Sequence, residues 1–125
     1  MSEIIKIEEI ISNQPRTLEV KGLGKIKVRD PTKRDRMEAT NEAIKMSNWE
    51  QLTELEKSVE IQNRVSLKMI IEPKITEEQY LNSSDIKINK VIESISLDYT
   101  KRIVEINKDR KRIIQDFLSQ LTGVS

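Results

Sequence analysis

Neither cysteine nor histidine occurs among the 125 residues. Without cysteine there is no disulfide framework, and without either residue type the usual zinc ligands are missing. The same two absences remove the thiolate nucleophile and the imidazole base, the groups on which most side-chain catalysis at neutral pH relies. Four aromatics, Trp49, Tyr80, Tyr99 and Phe117, are too few for a platform on which single-stranded nucleic acid would stack. No apolar run approaches the roughly 20 residues that a membrane span needs. The opening MSEIIKIEEI sets acids among its isoleucines, unlike a secretory signal. The expectation is a cytoplasmic chain that is not an enzyme, holds no cofactor or metal and touches no membrane.

The chain is 36% hydrophobic and 34% charged, so every helix must give much of its surface to water and aliphatic side chains must build the core. Its length suits one domain with a modest core and an appended element. Net charge is +1, unevenly spread: residues 1–31 hold 6 bases and 5 acids, residues 32–85 hold 8 and 11, residues 86–125 hold 8 and 5. That asymmetry is too small to indicate a nucleic-acid surface.

Ile4, Ile7 and Ile11, with Ile5 and Ile10 beside them, recur at helical spacing and predict a short amphipathic helix over residues 3–12, packed on the core or docked on another subunit. From Thr17 to Arg29 the period changes to two. Leu18 and Val20 oppose Glu19 and Lys21, then Ile26 and Val28 alternate with Lys25, Lys27 and Arg29, and Gly22-Leu23-Gly24 between them predicts a hairpin. A two-stranded ribbon is marginal in water and needs a cover over its apolar face. Asp30-Pro31-Thr32 starts a helix running to about Met46, and Asp35 completes a capping-box-like pair with Thr32. The charged cluster Lys33 to Arg36 is expected on its wet side.

Trp49, Leu52, Leu55 and Val59, at spacings of 3, 3 and 4, predict a helix capped by Ser47 or Asn48. Its later part, Val65 to Ile71, is apolar around most of its circumference and is the expected centre of the core. Glu60 and Arg64 form an i,i+4 pair expected to face water. Pro73 ends that helix, Thr76 caps a new turn with Gln79 placed to bond back, and Tyr80 and Leu81 are expected to drop onto the core.

Past Asp85 one stripe runs through Ile88, Ile92, Ile95, Tyr99, Ile103, Ile106, Arg110, Ile113, Phe117 and Leu121, with only Arg110 interrupting its apolar series. A single helix of that length exceeds a small globule, so it must break around Ser94 to Thr100 or find a partner. The segment NKDRKR, Asn107 to Arg112, separates a terminal apolar patch from the core and marks a docking or oligomerisation tail. The expected architecture is mainly α: a small helical domain with an N-terminal β-hairpin and a long C-terminal helix, divided into a core of residues 1–98 and an extension of residues 99–125. Candidate partner-binding residues are Trp49, Tyr99, Ile106, Arg110, Ile113, Phe117 and Leu121. A homo-oligomer is expected.

No spacing suggests a site for chemistry. Glu8-Glu9 and Glu77-Glu78 are adjacent and do not face one another on a helix, and Gly22-x-Gly24 lacks the third glycine of a dinucleotide loop. Three segments, KIKVRDPTKRDRMEA, VSLKMIIEPKIT followed by EEQYL, and SSDIKINKVIESI, together resemble the small tail assembly chaperones of long-tailed phages. The matching residues are Val28-Arg29, Thr32 to Glu38, Glu72 to Glu78 and Asp85 to Ile95, and the resemblance covers roughly residues 18 to 97. It implies a non-enzymatic protein that binds the tape-measure protein and tail-tube subunits during tail assembly. The extension from Lys101 to Ser125 stands outside that pattern, and Pro73-Lys74 takes the place of a glycine-containing turn. Two other readings stay open: a coiled-coil structural or adaptor protein, and a nucleic-acid-binding regulator using the hairpin and Lys108 to Arg112.

Overall fold

A computed structural model describes residues 4–122 of the chain, with the side chain of Thr122 excepted. Glu3 of the expected first helix and residues 123–125 of the expected extension lie outside the described residues. The elements in order are α1 (Ile7–Ile11), β1 (Arg16–Val20), β2 (Gly24–Val28), α2 (Lys33–Ile44), a 3-10 turn (Trp49–Gln51), α3 (Glu54–Lys68), β3 (Ile70–Glu72), α4 (Glu77–Leu81) and α5 (Asp85–Thr122). The protein is mainly helical, with an N-terminal hairpin and a long last helix. Contacts divide it into two units, Met1–Ile95 and Ser96–Ser125.

In the first unit an antiparallel sheet of order β1-β2-β3 forms one layer. Arg16 faces Val28 and Val20 faces Gly24, so the two runs of period two are joined by a three-residue turn. The Leu23 N–H donates to Val20 O at 3.0 Å, and Gly22 takes φ +82°, a left-handed conformation costly for a side chain. The hairpin is extended by a third strand that periodicity did not foresee. Helix α3 stops at Lys68, and Ile70–Glu72 pair with β2 instead of extending the helix to Ile71. Two β-branched residues ahead of a proline favour that outcome, because Pro73 pushes Glu72 toward extended backbone and Ile70 and Ile71 suit a strand.

Three helices begin in the same way. Thr32, Thr53 and Thr76 each accept from the backbone N–H three residues on, while Asp35, Glu56 and Gln79 bond back to the cap's own N–H. The expected start at Ser47 or Asn48 is therefore displaced: Trp49 and Leu52 belong to a 3-10 turn and its end, and the helix proper opens after Thr53.

Val20, Ile26 and Val28 of the sheet, Ala39 and Ala43 of α2, Val65, Leu67, Met69 and Ile70 around the end of α3, and Ile88, Ile92 and Ile95 of α5 form the core. The expected centre, Val65 to Ile71, lies in it apart from Lys68 and Ile71, which are only half-buried. Fully buried alanines on α2 leave no side-chain bulk between α2 and α3, which pack on each other. Met37, Ile44 and Leu81 are exposed, so α2 contributes little beyond its alanines and α4 sends only Tyr80 inward. Helix α1 contributes nothing: every isoleucine from Ile4 to Ile11 is exposed, Ile4 at 94%, against the expectation of packing. A five-residue helix presents too narrow a face to reach the core and hold two sides of isoleucine.

Helix α5 is unbroken. Its 38 residues span about 57 Å at 1.5 Å per residue. The serines expected to interrupt it do not, since the Ser94 hydroxyl donates to Lys90 O at 2.9 Å and satisfies itself inside the helix. Replacing Ile95 by alanine is expected to reduce unfolding free energy by about 2–5 kcal/mol in dilute solution. Ile113→Ala is expected to change it by no more than about 0.5 kcal/mol. Urea titration checks both, and equal losses would contradict a core that ends near Ile95.

Candidate functional site

Two places hold more than scaffolding: a polar cleft in the first unit and the exposed length of α5. The cleft, of about 460 Å³, is lined by residues of α2, α3, β3 and α4 together with Arg29. Arg29 donates to both oxygens of Asp35, at 2.6 and 3.0 Å, and to Lys68 O at 3.0 Å. Asp35 is only 6% exposed, so of the cluster expected on the wet side it alone turns inward, while Lys33, Arg34 and Arg36 are exposed. Burial alone would raise the Asp35 pKa, but the Arg29 hydrogen bonds and the Thr32 cap outweigh it and hold the carboxyl below its ordinary value of 3.8. Hydrogen bonding to Asp35 correspondingly raises Arg29.

Arg64, also in the lining, is 4% exposed and pairs with Glu60 at 3.0 Å and Glu77 at 2.9 Å. Its guanidinium carbon lies 5.4 Å from the centre of the Tyr80 ring, and the Tyr80 hydroxyl donates to Glu60 at 3.1 Å. The Glu60–Arg64 pair is thus an interior clasp between α3 and α4 and does not lie on a wet face. Tyr80 is pushed above its ordinary pKa of 10.0 by burial and then by the Glu60 charge. Lys68 lies 2.7 Å from Glu42 and 3.7 Å from Glu38. Each of these carboxylates stands within 3.7 Å of a cation. Among the described residues no cluster of potential ligands could hold a metal ion, and no helix is long and apolar enough to cross a membrane.

Six of the seven sequence-nominated residues stand together on α5. Ile106, Ile113, Phe117 and Leu121 are between 59% and 67% exposed, Arg110 lies exposed among them, and Tyr99 at the head of the stripe is half-buried. From Thr100 to Leu121 every residue is exposed. Seven residues from Ile106 to Ile113 and four more to Phe117 keep these side chains on one side of the helix. By the same spacing Lys108, Lys111 and Arg112 fall on the other side of the helix, with Arg112 3.2 Å from Asp109. Trp49, the seventh, is elsewhere: half-buried in the 3-10 turn of the first unit, under the Lys57 ammonium at 5.3 Å. Such a contact suits an anchor at the edge of the core.

Sequence reasoning missed the cleft. Its contacts reach across as many as 39 residues, as between Arg29 and the Lys68 carbonyl, and no local spacing announces those long-range ones. The Thr32-x-x-Asp35 box and the Glu60–Arg64 pair, the latter expected to face water, were its local hints. Compared with known proteins, the chain matches no family model, no curated protein and no solved structure.

Because the folded-state pKa of Asp35 is depressed, its pair contributes stability above about pH 3.8 and loses it as pH falls further. Asp35→Asn is expected to cost about 1.5–3 kcal/mol at pH 7. The same variant should flatten the acid limb of a stability-against-pH curve between pH 5 and about pH 3. Chemical denaturation across that range checks both, and an acid limb as steep as the parent's would contradict the assignment.

Proposed function

We propose that this chain is a non-enzymatic tail assembly chaperone, which binds the tape-measure protein and tail-tube subunits during phage tail morphogenesis in the host cytoplasm. The observation that carries this is the exposed apolar stripe Ile106, Ile113, Phe117 and Leu121 on a helix of 38 residues. A stretch of helix that buries no side chain of its own is marginal in water, so its sequence makes sense when another helix covers the stripe. Ridges of isoleucine and phenylalanine fit the grooves of a long helical partner, which a tape-measure protein is expected to supply.

The first unit then serves as the handle. Its charged cleft is internally neutralised, and its paired carboxylates offer no reactive group, which supports a holding role over a catalytic one. The resemblance in the segments around Val28, Thr32 and Glu72 supports the same reading. Arg110 within the stripe biases the choice toward a helix that offers an acidic residue opposite it.

Co-expression of the tagged full chain with a tape-measure protein encoded beside it tests this. Recovery of the two together is expected, and Phe117→Asp with Ile113→Asp is expected to weaken capture at least about tenfold, equivalent to roughly 1.4 kcal/mol. Thermal unfolding of the first unit should be unchanged by the two substitutions. Undiminished capture, or no capture by the parent chain, would contradict the proposal.

A further inference from the structure

The polar cleft of the first unit contains an arginine whose fork is only partly used. Arg64 lines the cleft, is 4% exposed, and directs Nε to Glu60 at 3.0 Å and Nη1 to Glu77 at 2.9 Å. Its Nη2 is buried and has no hydrogen-bond partner among the described residues. A guanidinium carries five N–H groups in one plane, and burying any of them without an acceptor costs free energy that folded chains rarely tolerate. The two carboxylates that hold this guanidinium differ in kind. Glu60 stands one turn back on α3, is largely buried, and also accepts from the Tyr80 hydroxyl at 3.1 Å. Glu77 reaches in from α4 and is half-exposed. That helix is five residues long and fully buries none of them. Glu60 therefore sets the plane of the fork, while Glu77 is a replaceable cap on one tine.

What the cleft can receive follows from what is unpaired in it. Of the other cations in its lining, Arg29 is held by Asp35 and Lys68 by Glu42, whereas Lys74 is exposed and pairs with no carboxylate among the described residues. Leu67, Ile71 and Ile75 give the lining an aliphatic part. A doubly charged phosphate would meet Glu38 and Glu42 in the same lining with twice the repulsion that a single charge feels. We propose that the cleft binds an aliphatic carboxylate, which displaces Glu77 from Arg64 and accepts from Nη1 and Nη2 together. Lys74 supplies the second cation, and Leu67, Ile71 and Ile75 take the stem. Two parallel N–H···O bonds hold such a pair more firmly than the single one that Glu77 makes. The volume, about 460 Å³, falls within the roughly 300–1,000 Å³ of small-ligand sites. Glu77 is then an internal substitute for the ligand, and α4 is the part of the fold that yields. None of this rests on the function proposed above.

Sodium hexanoate titrated into the full chain tests this, followed by NMR of the arginine side-chain nitrogens and the isoleucine methyls. A saturable shift of the Arg64 signals together with those of Ile71 and Ile75 is expected. Hexanamide, with the same stem and no charge, should leave them in place. Glu77→Gln weakens the internal competitor and raises the fraction of chains with an open fork, so it is expected to lower the hexanoate dissociation constant at least about fivefold. Lys74→Gln is expected to raise it about threefold, the worth of an exposed charge pair. Glu60 still pairs with Arg64 in both variants, so both should fold, and thermal unfolding checks that. The comparison of hexanoate with hexanamide on the parent chain stands without either variant. An acetylated, amidated pentapeptide with one glutamate between leucines distinguishes the sources of the carboxylate: binding tighter than hexanoate assigns it to a polypeptide, and weaker binding to a free acid. No saturable shift in the parent or in Glu77→Gln would overturn the proposal, as would equal shifts with hexanamide or an affinity indifferent to Glu77→Gln.

Discussion

The guanidinium of Arg29 holds the first unit together, because three chain segments end on it. Its Nη atoms grip both oxygens of Asp35 in the first turn of α2 and the Lys68 carbonyl at the end of α3, and a further bond goes to the Asp30 carbonyl. The Arg29 backbone N–H meanwhile donates to Met69 O at 2.9 Å, immediately before β3. A planar fork with five donors can satisfy carboxylate and carbonyls together, which a lysine ammonium in the same place would not do with fixed geometry. Strand β2 therefore leaves the sheet with its direction, the start of α2 and the end of α3 all set by one side chain. Removal of either partner would strand a charge or leave buried carbonyls unpaired, and that cost exceeds the modest net worth of the pair itself.

That junction explains why the core is small and sufficient. Val28, one residue before Arg29, is fully buried, and Met69 and Ile70 across from it are nearly so. Alanines on α2 let it approach α3 closely, and Arg64 clasps α4 from the other side through Glu77. The first three turns of α5 close the unit with Ile88, Ile92 and Ile95. Among the described residues no core residue follows Ile95. The residues after it repeat the same apolar spacing with no core residue of their own, so the stripe changes its role along one helix, from core to exposed surface, without a change of pattern.

Local signals were therefore legible and distant ones were not. Thr32 with Asp35 and Thr76 with Gln79 declared two helix starts, Gly22 declared the turn, and the alternation from Leu18 to Val28 declared the two strands. A third box, Thr53 with Glu56, was equally present in the sequence but was masked by the regular spacing of Trp49, Leu52, Leu55 and Val59. Strand β3 escaped because three residues hold no period, and its identity comes from the β2 neighbour more than 40 positions earlier, Val28 opposite Ile70. Asp35 and Arg64 looked like surface charges since burial of a charge depends on a partner that spacing alone does not supply. On α5 the spacing found the stripe; exposure, which distinguishes a core stripe from a docking one, belongs to the fold.

Hydrogen exchange along α5 tests the division most directly. In dilute solution amides from Ile88 to Ile95 should exchange slowly, with the protection of the whole first unit, while those from Thr100 to Leu121 should exchange nearly as fast as a marginal isolated helix allows. Protection of the second stretch should then rise with protein concentration or on addition of a helical partner. Slow, uniform exchange from Ile88 to Leu121 in the dilute chain, indifferent to concentration and partner, would contradict a last helix that folds on one half and docks with the other.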